Sequence, residues 1–145
     1  MKNILVSVDF DENTEQLINK ATELVSKYNS TVWILHVAAP DPDFVGLDVG
    51  PQYIRDHKAA ELKKEHKLLF EYANKLKVKG IEATGLLIQG ATIETILNES
   101  KKLNIDLIII GHHNHTFLYK TFFGNTSLDV IKKSNIPVLV VPLEK

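Results

Sequence analysis

The chain has 145 residues, 44% of them hydrophobic, which is the size and composition of one domain with a core of its own. Its 17 basic and 18 acidic residues leave a formal charge of −1, so no overall field draws it to nucleic acid or to an anionic membrane. Cysteine is absent, which excludes disulfides, thiolate metal sites and a cysteine nucleophile, and no apolar run is long enough for a signal peptide or a membrane span. A cytoplasmic location is the expectation.

Ile4 to Val8 is a short β-branched apolar run, the pattern of a strand covered on both faces, and it ends at Asp9. Asp11, Asn13 and Thr14 are candidate helix caps, after which Leu17, Ala21, Leu24 and Tyr28 keep one helical face apolar. Thr31 to Ala38 reads as a second buried strand. Ala39 to Pro51, rich in Pro, Gly and Asp, reads as a loop. From Gln52 to Val78 the chain predicts a long amphipathic helix with Ala59, Leu62, His66, Leu69, Ala73 and Leu76 on its apolar stripe. Gly80 stops it, and Ile81 to Gln89 is a third strand with a candidate bulge at Gly85. Ile93, Ile96, Leu97, Ser100 and Leu103 mark the next helix, and Asp106 to Ile110 the fourth strand. A last helix starts near Gly124 and ends near Asn135, where Pro137 bars its continuation before the strand Val138 to Val141. Five strands alternating with helices call for an open parallel α/β sheet with helices on both faces, in which ligands lie beyond the carboxyl ends of the strands.

Gly111 follows a strand directly and Gly124 opens a helix. Glycines there permit positive φ and close approach of the backbone to a ligand, and a helix N-terminus offers N–H groups to an anion. Asn125, Thr126 and Ser127 add side-chain donors, and Lys120 in the intervening loop adds charge. The same two junctions also serve plain turns, so local logic leaves both readings open.

Along nearly its whole length the chain resembles the universal stress protein family, through ILVSVD at the first strand, ILHV at the second, the QG at Gln89, DLIIIG at the fourth, and the ending IPVLVVP. The family's nucleotide-binding members carry Gly-x-x-Gly-x9-Gly-Ser/Thr. Here Gly111-His-His-Asn114 is followed, nine residues later, by Gly124-Asn125. The resemblance implies a five-stranded doubly wound sheet of order 3-2-1-4-5, of the adenine nucleotide alpha hydrolase-like type. It also implies a site for ATP or a related adenine nucleotide with Mg²⁺, and a homodimer paired through Val138 to Val141. Carried onto this sequence, Asp9 matches the acid beside the adenosine and Val37 the second-strand residue whose backbone meets the adenine. Gly111, Gly124, Asn125 and Thr126 match the ribose and phosphate binders. The full candidate set is Val8, Asp9, Val37, Ile110, Gly111, His113, Asn114, Gly124, Asn125, Thr126 and Ser127. Asn114 replaces a glycine but tolerates left-handed backbone, while its side chain enters the phosphate space; Asn125 replaces a hydroxyl with an amide that still donates.

Plainer readings stand beside these. Asp9 also fits a turn cap. His112, His113 and His115 crowd one loop, where lining the phosphate cleft is a simpler role than metal binding, since adjacent histidines rarely share a metal. His66 reads as a partly buried, hydrogen-bonded residue and His36 as structural. No nucleophile with an adjacent base is visible around Ser127, so a dedicated enzyme is not expected; the resemblance implies at most slow ATP hydrolysis. The last strand, if not shielded by the tail Leu143 to Lys145, is an edge open to pairing. The function expected is a nucleotide-dependent switch or dimeric regulator in stress response; the alternative is a nucleotide-free dimeric interaction module in which Asn114 and Asn125 mark a lost site.

Overall fold

The computed structural model describes residues 1–40, 52–113 and 126–143. Its elements, in chain order, are β1 (Asn3–Ser7), α1 (Thr14–Tyr28), β2 (Thr31–Ala38), α2 (Gln52–Val78), β3 (Ala83–Gln89), α3 (Thr92–Lys102), β4 (Leu107–His113), α4 (Thr126–Lys133) and β5 (Val138–Leu143). Every strand pairing is parallel, and the order across the sheet is β3-β2-β1-β4-β5. This is the doubly wound α/β sheet of order 3-2-1-4-5.

β1 is the centre of the sheet because its side chains are apolar on both faces. Ile4, Val6 and Val8 join Leu17, Ala21, Val25, Leu69 and Ala73 from α1 and α2 on one face. Leu5 turns to the other face, where it meets a cluster holding Leu35, Ile96 of α3, Ile108 and Val130 of α4. Two helices therefore cover each face, and burial of these side chains, worth about 1.5–3 kcal/mol each, is what holds the layers together. At the amino edge the Asp106 carboxylate accepts from the backbone N–H of Lys2 at 2.6 Å and of Asn3 at 3.0 Å. Those two bonds fix the start of β1 beside β4 and hold the Asp106 carboxyl below the usual carboxylate range.

Four local expectations are corrected. Tyr28, placed on the apolar face of α1, is half exposed; Ile18 and Val25 take the inward positions instead. The stripe of α2 is shifted by one residue in its first half: His66 and Ala59 face solvent and Glu65 faces the sheet. Gly85 is not a bulge, since β3 keeps continuous register with β2 from Ala83 to Gln89. Its missing side chain lets α2 lie close, because a Cβ there would stand 2.8 Å from the Leu69 Cβ. Finally, β4 runs on to His113, so Gly111, His112 and His113 belong to a strand, where the sequence placed a loop entered at Gly111. The expected loop at 39–51, Lys120, His115 and the tail residues 144–145 lie wholly or mostly outside the described residues.

Candidate functional site

β1 stops short at its carboxyl end. Its last residue, Ser7, pairs with Leu35 on β2 and with Ile110 on β4, and those strands each run three residues further, to Ala38 and His113. The crevice beyond Ser7 lies where the strand order reverses, the general ligand position in an open α/β sheet. Thr31 N–H donates to the Lys2 carbonyl and Val8 N–H to the Leu35 carbonyl. By alternation, Val37 also turns its backbone groups toward the line of β1, past the point where β1 has ended.

The chain leaves β1 through Val8, Asp9, Phe10 and Asp11. Val8 is buried, and its carbonyl accepts from His36 Nδ1 at 2.7 Å. Phe10 takes a φ of 56°, a left-handed conformation that costs an aromatic residue on the order of 1–3 kcal/mol. On either side of this strained residue, Asp9 and Asp11 both line the crevice. The N-cap position of α1 is Asn13, and Asp11, a candidate cap in the sequence, instead closes the turn before it: its Oδ1 accepts from Asn13 N–H at 2.9 Å and from Thr14 Oγ1 at 3.3 Å. Its other oxygen lies 2.7 Å from His113 Nε2, so the same carboxylate ties α1 to β4 across the crevice.

Asp9 is exposed at the rim of the crevice, with protein packed to one side of its carboxylate. Loss of surrounding water pushes its carboxyl above the usual range; His36 opposes that, Asp11 adds to it, and His113 opposes it. The acid therefore stands between two imidazoles that favour its ionised form, beside a second acid that disfavours it.

Opposite, Ile110, Gly111 and His113 form the β4 wall, and Thr14, Thr92 and Thr126 line the crevice from the starts of α1, α3 and the described part of α4. Helix starts gathered at one strand edge carry partial positive charge toward it. The crevice measures about 30 Å³. Gly111 has a different local reason from the one expected. It lies in extended strand, and a Cβ there would run into the Leu143 side chain of β5, so the glycine makes room for packing at the crevice floor.

His112 and His113 are neighbours on a strand and so face opposite sides. His113 reaches Asp11, and His112 Nδ1 lies 3.2 Å from the buried Ser127 hydroxyl on α4. Among the described residues no group of three or more His, Asp or Glu side chains is arranged to hold a metal ion, and no helix is long and apolar enough to cross a membrane. Of the candidates, Asp9, Ile110, Gly111, His113 and Thr126 line the crevice, Val8 and Val37 stand at its β1 and β2 side, and Ser127 is buried behind it. Asn114, Gly124 and Asn125 lie outside the described residues. The sequence reading missed Thr92, whose signal was its place two residues after the turn at Gly90, and Glu65, which had none in the apolar periodicity.

A profile of the universal stress protein family matches residues 1–142. The chain belongs to the universal stress protein family. Among its relatives, universal stress protein YxiE of Bacillus subtilis is 27% identical over 143 residues, covering 95% of this chain and 97% of YxiE. Universal stress protein MJ0577 of Methanocaldococcus jannaschii is 29% identical over 152 aligned residues, covering 97% of this chain and 94% of MJ0577. The solved structure of MJ0577 matches this universal stress protein with a TM-score of 0.79 at 25% identity, over 99% of this chain and 97% of that one. Two more distant members share the fold. One, solved with cAMP, has a TM-score of 0.72 at 15% identity over 99% and 98% of the two chains. The other, from Archaeoglobus fulgidus and solved with dAMP, has a TM-score of 0.63 at 20% identity over 99% and 98%.

Proposed function

We propose that this universal stress protein binds an adenine nucleotide, ATP or a close relative, along the crevice at the end of β1, and works as a nucleotide-dependent switch. The observation that carries this reading is the position of Asp9: a solvent-reaching carboxylate where β1 stops between two longer strands, with Gly111 and Thr126 across from it. A carboxylate there accepts from sugar hydroxyls, the backbone of Val37 lies where a base would rest, and the helix starts at Thr92 and Thr126 favour phosphate oxygens. Relatives of the same fold solved with cAMP and dAMP support an adenine ligand. At about 30 Å³ the crevice does not enclose a nucleobase, so we place the base along its open edge. Phosphate contacts at Asn114, Gly124 and Asn125 belong to the same proposal. Mg²⁺ belongs to the same proposal, carried on the phosphates of the nucleotide.

We infer at most slow ATP hydrolysis, which needs the metal carried by the nucleotide and no activated nucleophile of the protein. Ser127 lies near His112 but is buried, and the Thr14 hydroxyl in the crevice donates to the Asp11 carboxylate at the entry to α1. Calorimetric titration with ATP and Mg²⁺ tests the reading: saturable heat with a Kd below about 1 mM is expected. No heat, together with no thermal shift at millimolar nucleotide, would leave only the nucleotide-free interaction module.

We infer further that the protein works as a single-domain cytoplasmic homodimer paired through β5. That strand is one edge of the sheet, and Leu139 on it, with Leu128 and Ile131 on α4, leaves apolar surface exposed.

A further inference from the structure

The turn that carries Asp9 is strained at Phe10, and strain of this kind persists only where neighbouring groups impose it. Two rings lie against Phe10: His36 at 4.5 Å between centroids, and Tyr72 of α2, nearly parallel, at 6.5 Å. His36 is itself buried and held at both nitrogens. Nδ1 lies 2.7 Å from the Val8 carbonyl, in the direction where a regular ladder would bring the next β2 amide, and Nε2 lies 3.5 Å from Glu65 Oε1. Glu65 is a carboxylate on the sheet-facing side of α2, and its second oxygen, Oε2, is buried with no hydrogen-bond partner. A part-buried acid in that position is costly unless its contact is of use to the structure.

We propose that His36 and Glu65 are positioning residues for the candidate nucleotide site, forming a clamp that holds the root of the Asp9–Asp11 turn through the Val8 carbonyl; this rests on the nucleotide-binding reading above. A carbonyl only accepts, so Nδ1 carries a hydrogen and the tautomer is fixed. In the neutral ring Nε2 is then an acceptor facing a second acceptor, Glu65 Oε1. With one proton between them the same contact becomes attractive. The clamp is firm when that proton is present and slack when it is absent. Besides Glu65 from α2, the charged group facing His36 is Asp9; farther across the crevice, Asp11 and His113 form their own pair and also act on Asp9. Phe10 and Tyr72 supply the apolar remainder of the setting.

Two substitutions at Glu65 separate this clamp from plain packing. In Glu65→Gln the amide donates to neutral Nε2, so the contact no longer needs the extra proton. In Glu65→Ala it is gone. The readout is hydrogen-exchange protection of the Val8 amide, which donates to the Leu35 carbonyl beside the clamp, corrected for intrinsic exchange chemistry. The amide of Ile108, bonded to the Pro137 carbonyl on the far side of β1, is the control. Val8 protection relative to the control should be about three- to tenfold lower in Glu65→Ala than in the parent. Glu65→Gln should keep the parent's level or exceed it. A Glu65→Ala variant whose Val8 protection matches the parent, or a Glu65→Gln variant that loses protection as Glu65→Ala does, would overturn the proposal. None of this requires nucleotide. If the parent also binds ATP with Mg²⁺, Glu65→Ala should bind it about three- to tenfold more weakly at pH 6. A parent that binds none fails the functional reading alone, and the exchange result still decides the clamp.

Discussion

Asp9 is exposed, yet its setting disfavours the charged form. The folded chain holds its proton more tightly than the unfolded chain does, because the crevice wall removes water from the carboxylate. For an acid shifted in this direction stability falls as pH rises from the unfolded value of 3.8 through the higher folded value, and the penalty is full above both. Asp9→Asn removes the charge and so removes the penalty. The melting temperature at pH 7 is expected to rise by about 1–3 °C, with the difference from the parent vanishing below the ordinary carboxylate value. A lower melting temperature for Asp9→Asn at pH 7 would show that the carboxylate serves the fold. A gain in stability on removing the acid is the usual mark of a residue kept for ligand rather than for packing.

At the scale of elements, the contact of α2 with β3 depends on an absent side chain. Gly85→Ala would place a Cβ 2.8 Å from the Leu69 Cβ and 3.2 Å from the Leu69 backbone, and a helix cannot yield there as a flexible side chain can. The expected loss is about 1–3 kcal/mol by urea denaturation, and no loss would mean that α2 lifts freely. Gly85 was legible as a special position in the strand, but its reason was not, because the cause lies on a helix that the sequence places sixteen residues earlier. The alternation of strands and helices, the apolar face of α3 and the two-faced core of β1 all follow from periodicity, since each is built from many side chains that agree. Sheet order came from the family resemblance, since nothing local encodes it. The phase of α2 failed at Glu65 and His66: an apolar count assigns histidine inward and glutamate outward, whereas here the glutamate has a buried imidazole to meet. β4 was read too short for a related reason, because Gly111, His112 and His113 look like a loop until Leu143, Ser127 and Asp11 are seen beside them.

The whole molecule is a sheet whose central strand ends early, and both the candidate site and the proposed dimer follow from how its edges are treated. The ligand edge gathers Asp9, Asp11, His113 and three helix starts; the β5 edge carries Leu139 beside Leu128 and Ile131. Light scattering is expected to give twice the chain mass of 16.3 kDa, and Leu139→Asp should convert it to monomer; a parent at the monomer mass at high concentration contradicts the pairing. The site and its placement are tested most directly by calorimetric titration of ATP with Mg²⁺ into the parent and into Asp9→Asn under the same conditions. Saturable binding by the parent, weakened about tenfold or more in Asp9→Asn, is the predicted result. Equal binding by the two proteins, or none by the parent at millimolar nucleotide, would contradict it.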